Sequence, residues 1–188
     1  MAKDLLGEIT LSGNVCGGWQ LEGKPIGSSM PQKLATGWNI AMEGFVGSTF
    51  NPFYLVATQL VTGINYLLIA EQTPVVKDPV KSIVGLIINV PFNTTGEGSK
   101  IVKIIDINEP AVPEDIITLF NSATSKLLGN SHKPLLFLGS QIVSGVMYYL
   151  VCESTPVRPG ATPVANLCKL WLKPDGTTEV KFERIPKR

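Results

Sequence analysis

The sequence predicts an α+β fold of two modules, each with one helix packed on an antiparallel sheet of about four to five strands. Three observations predict this class. The chain repeats itself at an offset of 82 residues, from Pro31 to Pro113. Each repeat opens on a segment whose apolar residues recur at helical spacing, and it continues in short segments rich in Val, Ile, Leu and Tyr. We therefore expect domains at residues 1–108 and 109–188.

The internal repeat covers residues 31–107 and 113–185. Residues that punctuate secondary structure match between the two copies as well as the apolar residues do. Chance is a poor explanation for such a match. The matching pairs include Pro31 and Pro113, Gly47 and Gly129, Pro52 and Pro134, Gly63 and Gly145, Tyr66 and Tyr148, and Glu71 and Glu153.

A helix is predicted at the start of each copy, because the apolar residues there form one stripe. Pro31 and Pro113 suit the first helical turn, where a missing N–H costs little. Gly47 and Gly129 suit the C-terminal cap. Gly37 is expected to weaken the first helix by ~1 kcal/mol relative to alanine. The stripes are Leu34, Trp38, Ala41, Met42 and Phe45 in copy one, and Ile116, Phe120, Ala123 and Leu127 in copy two.

Strands are predicted after each helix, since these segments have β-forming composition and are bounded by Pro, Gly, Asn and Asp. Copy one also has a lead-in at residues 17–21, which copy two lacks, so copy two is expected to leave a sheet edge. Residues 8–12 are strand-like and could cover an edge of either copy. The predicted strands are 53–61, 64–73, 82–90 and 100–107 in copy one, and 135–143, 146–155, 164–172 and 179–185 in copy two.

Composition and charge argue against several classes of protein. Apolar residues make up 44% of the chain, charged residues 16%, and the net charge is +1. The basic residues are scattered, so no nucleic-acid partner is expected. The apolar runs fall short of the ~20 residues that span a bilayer, so no membrane partner is expected either. Because no signal peptide is evident, we expect a cytoplasmic location if the chain is complete.

An enzyme is not expected, and no catalytic residue is assigned. His132 is the only histidine, so no second histidine exists for a metal or a proton relay. The three cysteines form no paired motif, which argues against a metal site, and no cofactor is expected. Cys152 and Cys168 flank a predicted hairpin, where they are either two small apolar side chains or a cross-strand disulfide.

A short motif recurs in both copies between two predicted strands. Copy one has Gln59, Leu60, Val61, Thr62 and Gly63 in succession, followed by Asn65 and Tyr66. Copy two repeats the motif as Gln141, Ile142, Val143, Ser144 and Gly145. With Gly18 upstream and a helix between, this pattern resembles the QxVxG hairpin of cystatins. The resemblance covers residues 17–107 and 113–185, nearly the whole chain.

The resemblance implies a competitive inhibitor of papain-like cysteine proteases, which inserts a wedge of three segments into the protease cleft. In copy one these segments are Gly17 and Gly18, the Gln59–Gly63 hairpin, and a second hairpin at Pro91 and Phe92. Phe92 stands where the family often has tryptophan. Copy two offers only the hairpin, so we expect any inhibition to reside in copy one.

Two other interpretations of the function remain open. The chain could be a non-inhibitory module that binds another protein or supports assembly, because glycine in a turn and valine on a strand are ordinary hairpin chemistry. It could also form a homodimer by strand exchange at an exposed edge. In either case the partner is a protein.

Overall fold

A computed structural model describes residues 18–26 and 30–187. These residues divide into two compact units that part near Ile105 in the chain, and residues 186–187 group with the first unit. The first unit holds one helix and a five-stranded sheet in the order β1-β2-β3-β4-β5. Its elements are β1 (Trp19–Pro25), α1 (Gln32–Met42), β2 (Ser48–Val61), β3 (Gly63–Pro74), β4 (Ser82–Val90) and β5 (Lys100–Ile105).

The second unit holds one helix and a four-stranded sheet in the order β6-β7-β8-β9. Each strand pairs antiparallel with the strand that follows it in the chain. Its elements are α2 (Glu114–Thr124), β6 (Asn130–Val143), β7 (Gly145–Pro156), β8 (Val164–Leu172) and β9 (Thr178–Arg184).

The α+β class predicted from the sequence is wrong. The described part of the chain is mostly β, with 52% strand and 13% helix, and it carries two antiparallel sheets and only two helices. The lengths of the helices and strands explain why strand predominates. Each helix has 11 residues, whereas the strands of the long hairpins have 14 and 12 residues. Two helix-on-sheet modules therefore do not describe this architecture.

The elements from α2 to β8 follow those from α1 to β4 at a constant offset of 82 residues. The pairing registers show the same offset, including their irregularities. The β2–β3 register shifts between Pro52 and Tyr54, and the β6–β7 register shifts between Pro134 and Leu136. A β-bulge bends a strand and is a position where proline is tolerated, which accounts for the two prolines within long strands.

Gly37 lies where α1 approaches β4 most closely. A methyl group at this position would collide with the side-chain methyl groups of Val90 and lie 3.0 Å from Ser99 Oγ. Leu34, one turn earlier, is fully buried in the cluster that includes Val90. Glycine therefore permits α1 to pack closely on β4. This benefit opposes the loss of helix propensity that the sequence predicts.

We expect Gly37→Ala to lower the free energy of unfolding, although alanine is the better helix former. The propensity gain is ~1 kcal/mol, whereas overpacking a core costs ~1–3 kcal/mol. Urea unfolding monitored by circular dichroism measures the change. The double variant Gly37→Ala, Val90→Ala should lose less stability than the two single variants lose in sum. The smaller side chain at position 90 leaves room for the methyl group at position 37. A gain in stability from Gly37→Ala alone would contradict this account.

The predicted helix boundaries need two corrections. Pro31 and Pro113 occupy the N-cap positions rather than the first helical turn. Gly47 and Gly129 do not cap the helices, which end several residues earlier. Each lies at the base of a long hairpin with φ near 90°, and each accepts a backbone hydrogen bond of 2.9 Å, Gly47 from Val75 and Gly129 from the matching valine.

Among the described residues, no strand precedes β6 in its sheet. Ala111 forms only an isolated parallel bridge to Leu136. Cys152 and Cys168 are buried free thiols, and burial raises the pKa of the Cys152 thiol. Their register partners are Asn166 and Leu150, so the two cysteines are diagonal neighbours rather than opposite one another. No helix in the described part of the chain is long and apolar enough to cross a membrane.

Candidate functional site

The β2–β3 hairpin carries the motif of the first copy at its tip. Gln59 pairs with Asn65, and Val61 pairs with Gly63, so Thr62 stands alone in the turn. Gly63 has φ of 116°, a conformation that side-chain-bearing residues rarely adopt. Leu60 is 55% exposed. The hairpin thus presents an apolar side chain to solvent from a fully paired backbone.

A row of side-chain amides ties the hairpin to the next strand. Asn65 Nδ2 donates to Gln59 Oε1 at 2.9 Å, and Asn89 Nδ2 donates to Asn65 Oδ1 at 2.8 Å. The three residues lie side by side on β2, β3 and β4. Gln59 therefore stiffens the hairpin from within the sheet, which is a structural role beside the contact role that the sequence predicts.

The second predicted wedge segment begins next to the hairpin tip. A methyl group on Gly63 would lie 2.5 Å from the carbonyl oxygen of Val90 and 3.0 Å from Pro91 Cα. Phe92 follows and is 57% exposed, and Lys33 Nζ from α1 lies 5.1 Å from its ring centroid. The hairpin tip and the Pro91–Phe92 segment are therefore neighbours at one end of the sheet.

Hydrogen bonds within residues 93–99 order the loop that follows Phe92. Asn93 Oδ1 accepts the Gly96 N–H at 2.7 Å, and Asn93 Nδ2 donates to the Glu97 carbonyl at 2.9 Å. Gly96 also packs close to α1, where a methyl group would lie 3.1 Å from Thr36 Cγ2. The loop is thus folded back on the helix.

Gly18, from the third predicted segment, directly precedes β1. Trp19 pairs with Gln59, so Gly18 precedes the strand at the same end of the sheet as the hairpin tip. Gly17, the other residue predicted for this segment, lies outside the described residues. Gly18, the Gln59–Gly63 hairpin and the Pro91–Phe92 segment therefore share one end of one sheet.

The second copy presents its hairpin differently. Ile142 is 89% exposed and Val143 is 42% exposed, while Gln141 accepts a hydrogen bond of 3.1 Å from Tyr149 Oη. Trp171 Nε1 donates to the Ser144 carbonyl at 2.8 Å, so this tryptophan holds the turn in place. Gly145 lies close to the backbone of β8, as Gly63 does to that of β4.

His132 lies in a largely apolar contact away from the tip of the β6–β7 hairpin. Its ring stacks on Phe182 with centroids 4.0 Å apart, and Nδ1 lies 2.7 Å from Ser154 Oγ. Burial lowers the pKa of His132 below its ordinary value of 6.5. Through these contacts, His132 contributes to the packing of the second unit.

We expect the second unit to lose stability as the pH falls through the ordinary histidine range. The neutral ring is favoured in the folded state, so between the lowered pKa and 6.5 the unfolded chain binds more protons. Urea midpoints at about pH 8 and about pH 5, on either side of that range, measure the loss. Because carboxylates titrate as well, the comparison is with His132→Gln, which should show a smaller loss. An identical loss of stability in the parent chain and in His132→Gln would contradict the assignment of this pH dependence to His132.

Comparisons of this chain with models of known protein families, with curated proteins and with solved structures give no match.

Proposed function

We propose that the first unit binds papain-like cysteine proteases as a wedge, in the manner of the cystatins that its motif resembles. The observation that supports this most is the common placement of Gly18, the Gln59–Gly63 hairpin and the Pro91–Phe92 segment at one end of one sheet. A cleft between two protease lobes is long and narrow, and a row of three adjacent segments can fill it.

The stiffness of the hairpin supports tight binding. Its backbone is paired up to Val61 and Gly63, and the Gln59–Asn65–Asn89 amides fix it to β4. Association is weakened by every side chain and loop that has to become ordered, so a preformed tip keeps more of its contact energy as affinity. A paired hairpin is also a poor substrate, because it does not present an extended peptide to the catalytic cysteine.

Exposed apolar side chains supply the contact surface. Leu60 and Phe92 are more than half exposed, and Val61 is 37% exposed. A few well-packed, fully desolvated side chains near the centre of an interface carry most of its binding energy. In the second copy the exposed hairpin has no described strand like β1 beside it, and the position that matches Phe92 is occupied by Pro174, so we assign the wedge to the first unit alone.

Binding to a protease with a blocked cleft tests this proposal. The full chain is titrated into a papain-like protease by calorimetry, first active and then with its catalytic cysteine carrying a bulky covalent blocking group. Binding that disappears on blocking supports the wedge. Binding of equal affinity to both forms would place the contact elsewhere on the protease and overturn the proposal.

A further inference from the structure

The second unit has an exposed apolar tip at the end of its sheet opposite the Gln141–Gly145 hairpin. Here the α2–β6 loop meets the β7–β8 loop, since Val157 N donates to the Gly129 carbonyl at 2.9 Å. Leu128 is 95% exposed, Val157 is 75% exposed and Leu127 is 40% exposed. We call residues 126–129 and 157–158 the far tip. Exposed aliphatic side chains that lie together are a feature of surfaces that contact proteins or membranes.

The charges at the far tip are all positive. Lys126 and Arg158 are exposed there, each next to one of the aliphatic residues. The sequence has no aspartate or glutamate in residues 125–133 or 155–163. Neither cation forms a salt bridge with another residue in the described part of the chain. The surface therefore combines apolar side chains with unopposed positive charge.

Backbone hydrogen bonds hold this arrangement in place. Leu127 N donates to the Thr124 carbonyl at 3.0 Å, and Arg158 N donates to the Pro156 carbonyl at 2.9 Å. Gly129 takes the positive φ of 89° that lets the chain turn directly from the loop into β6. The side chains are thus presented from a fixed backbone, and little ordering is needed for them to bind.

The end of the first unit that corresponds to the far tip carries charges of both signs. Val46 is 85% exposed and Val75 is 68% exposed, at the positions that match Leu128 and Val157. Val75 N donates to the Gly47 carbonyl at 2.9 Å, as in the second unit. However, acidic residues accompany the cations there. Glu43 and Asp78 lie in these loops with Lys77 and Lys81, and Lys81 forms a salt bridge of 2.8 Å with Glu71.

We propose that the far tip docks on the surface of an anionic lipid bilayer. Leu128 and Val157 would enter the interfacial region, while Lys126 and Arg158 would contact negatively charged headgroups. A second copy of the chain fits less well, because a symmetric contact would bring the same cations together. Peripheral docking of this kind needs no spanning segment, and the proposal differs in this from the sequence-based expectation of no membrane partner. It is independent of the proposed protease wedge.

Cosedimentation of the full chain with vesicles tests the docking. One set of vesicles contains phosphatidylcholine alone, and the other contains phosphatidylcholine with phosphatidylserine. We expect sedimentation with the second set only, weakened by added salt. Arg158→Gln should lower the partition coefficient about fivefold, and Leu128→Ser about tenfold. Both side chains are exposed, so circular dichroism should show unchanged folding.

The first unit supplies the matched control. Val46→Ser removes an aliphatic side chain at the position that corresponds to Leu128, and it should leave vesicle binding unchanged. Equal losses from Val46→Ser and Leu128→Ser would overturn the assignment to the far tip. Sedimentation with neither set of vesicles, or equally with both, would overturn the proposal itself.

Discussion

Replacing Leu60 with aspartate is expected to weaken inhibition of a susceptible papain-like protease at least about tenfold, or ~1.4 kcal/mol. Leu60 is 55% exposed at the tip of the stiff β2–β3 hairpin, at the centre of the proposed three-segment wedge. The substitution removes an apolar contact and places a charge where the complex excludes water. The few central residues that dominate an interface cost about 2 kcal/mol or more when truncated, and a buried charge adds to that cost. The inhibition constant from steady-state rates measures the effect.

Ile142→Asp is the control for this change. Ile142 matches Leu60 at the offset of 82 residues and is 89% exposed. The wedge is assigned to the first unit alone, so Ile142→Asp should leave the inhibition constant nearly unchanged. Both positions are exposed, and neither variant should unfold. Equal loss of inhibition from the two variants would show that the second hairpin contributes as much as the first.

Phe120→Ala should lower the free energy of unfolding of the second unit by ~3–5 kcal/mol, as large-to-small changes of aromatic core residues do. Phe120 is fully buried, and its ring meets that of Phe182 edge-on with centroids 6.4 Å apart. It also packs with Leu150 and Leu170 from the sheet. The change leaves a cavity that these rigid strands can close only in part.

Hydrogen exchange resolved by residue measures this loss, because it reports on each unit separately. Amides of α2 and β7 should lose protection, while those of α1 and β3 should keep theirs. Phe92→Ala is the matched control, since Phe92 is 57% exposed and its loss should change stability little. Unchanged protection of α2 in Phe120→Ala would contradict the importance of this contact.

The turns of both long hairpins are where the sequence-based predictions were most successful. Gly63 and Gly145 stand where the chain needs positive φ, and turn geometry of this kind is local enough to be read from residue type. The strands pair around both glycines as predicted. The helices were also placed within a few residues, because their apolar stripes are strongly periodic.

Features set by tertiary contacts could not be predicted in this way. The fold class was wrong because the hairpin strands extend well before Phe53 and Leu135, through bulges that no periodic pattern reveals. Gly37 was taken as a weakness of α1, since the approach of Val90 is not visible in the sequence. Leu128 was unassigned for a similar reason, because an aliphatic residue in a loop does not reveal whether it is buried.

Part of the candidate site was predictable and part was not. The Gln59–Gly63 motif locates the hairpin, but it does not reveal that Asn89 joins Gln59 and Asn65 in one row of amides. Phe92 was selected because the resemblance to cystatins implies an aromatic residue after the proline of the second hairpin. Its neighbour Lys33 lies far from it in sequence, so their contact depends on how α1 packs.

Steady-state inhibition of a panel of papain-like proteases by the full chain tests the central proposal most directly. Substrate concentration is varied at several concentrations of the chain. The wedge predicts competitive inhibition of at least one enzyme, in which the apparent KM rises and kcat stays constant, because the chain and the substrate occupy the same cleft. Absence of inhibition across the panel, or a fall in kcat without a change in KM, would contradict the proposal.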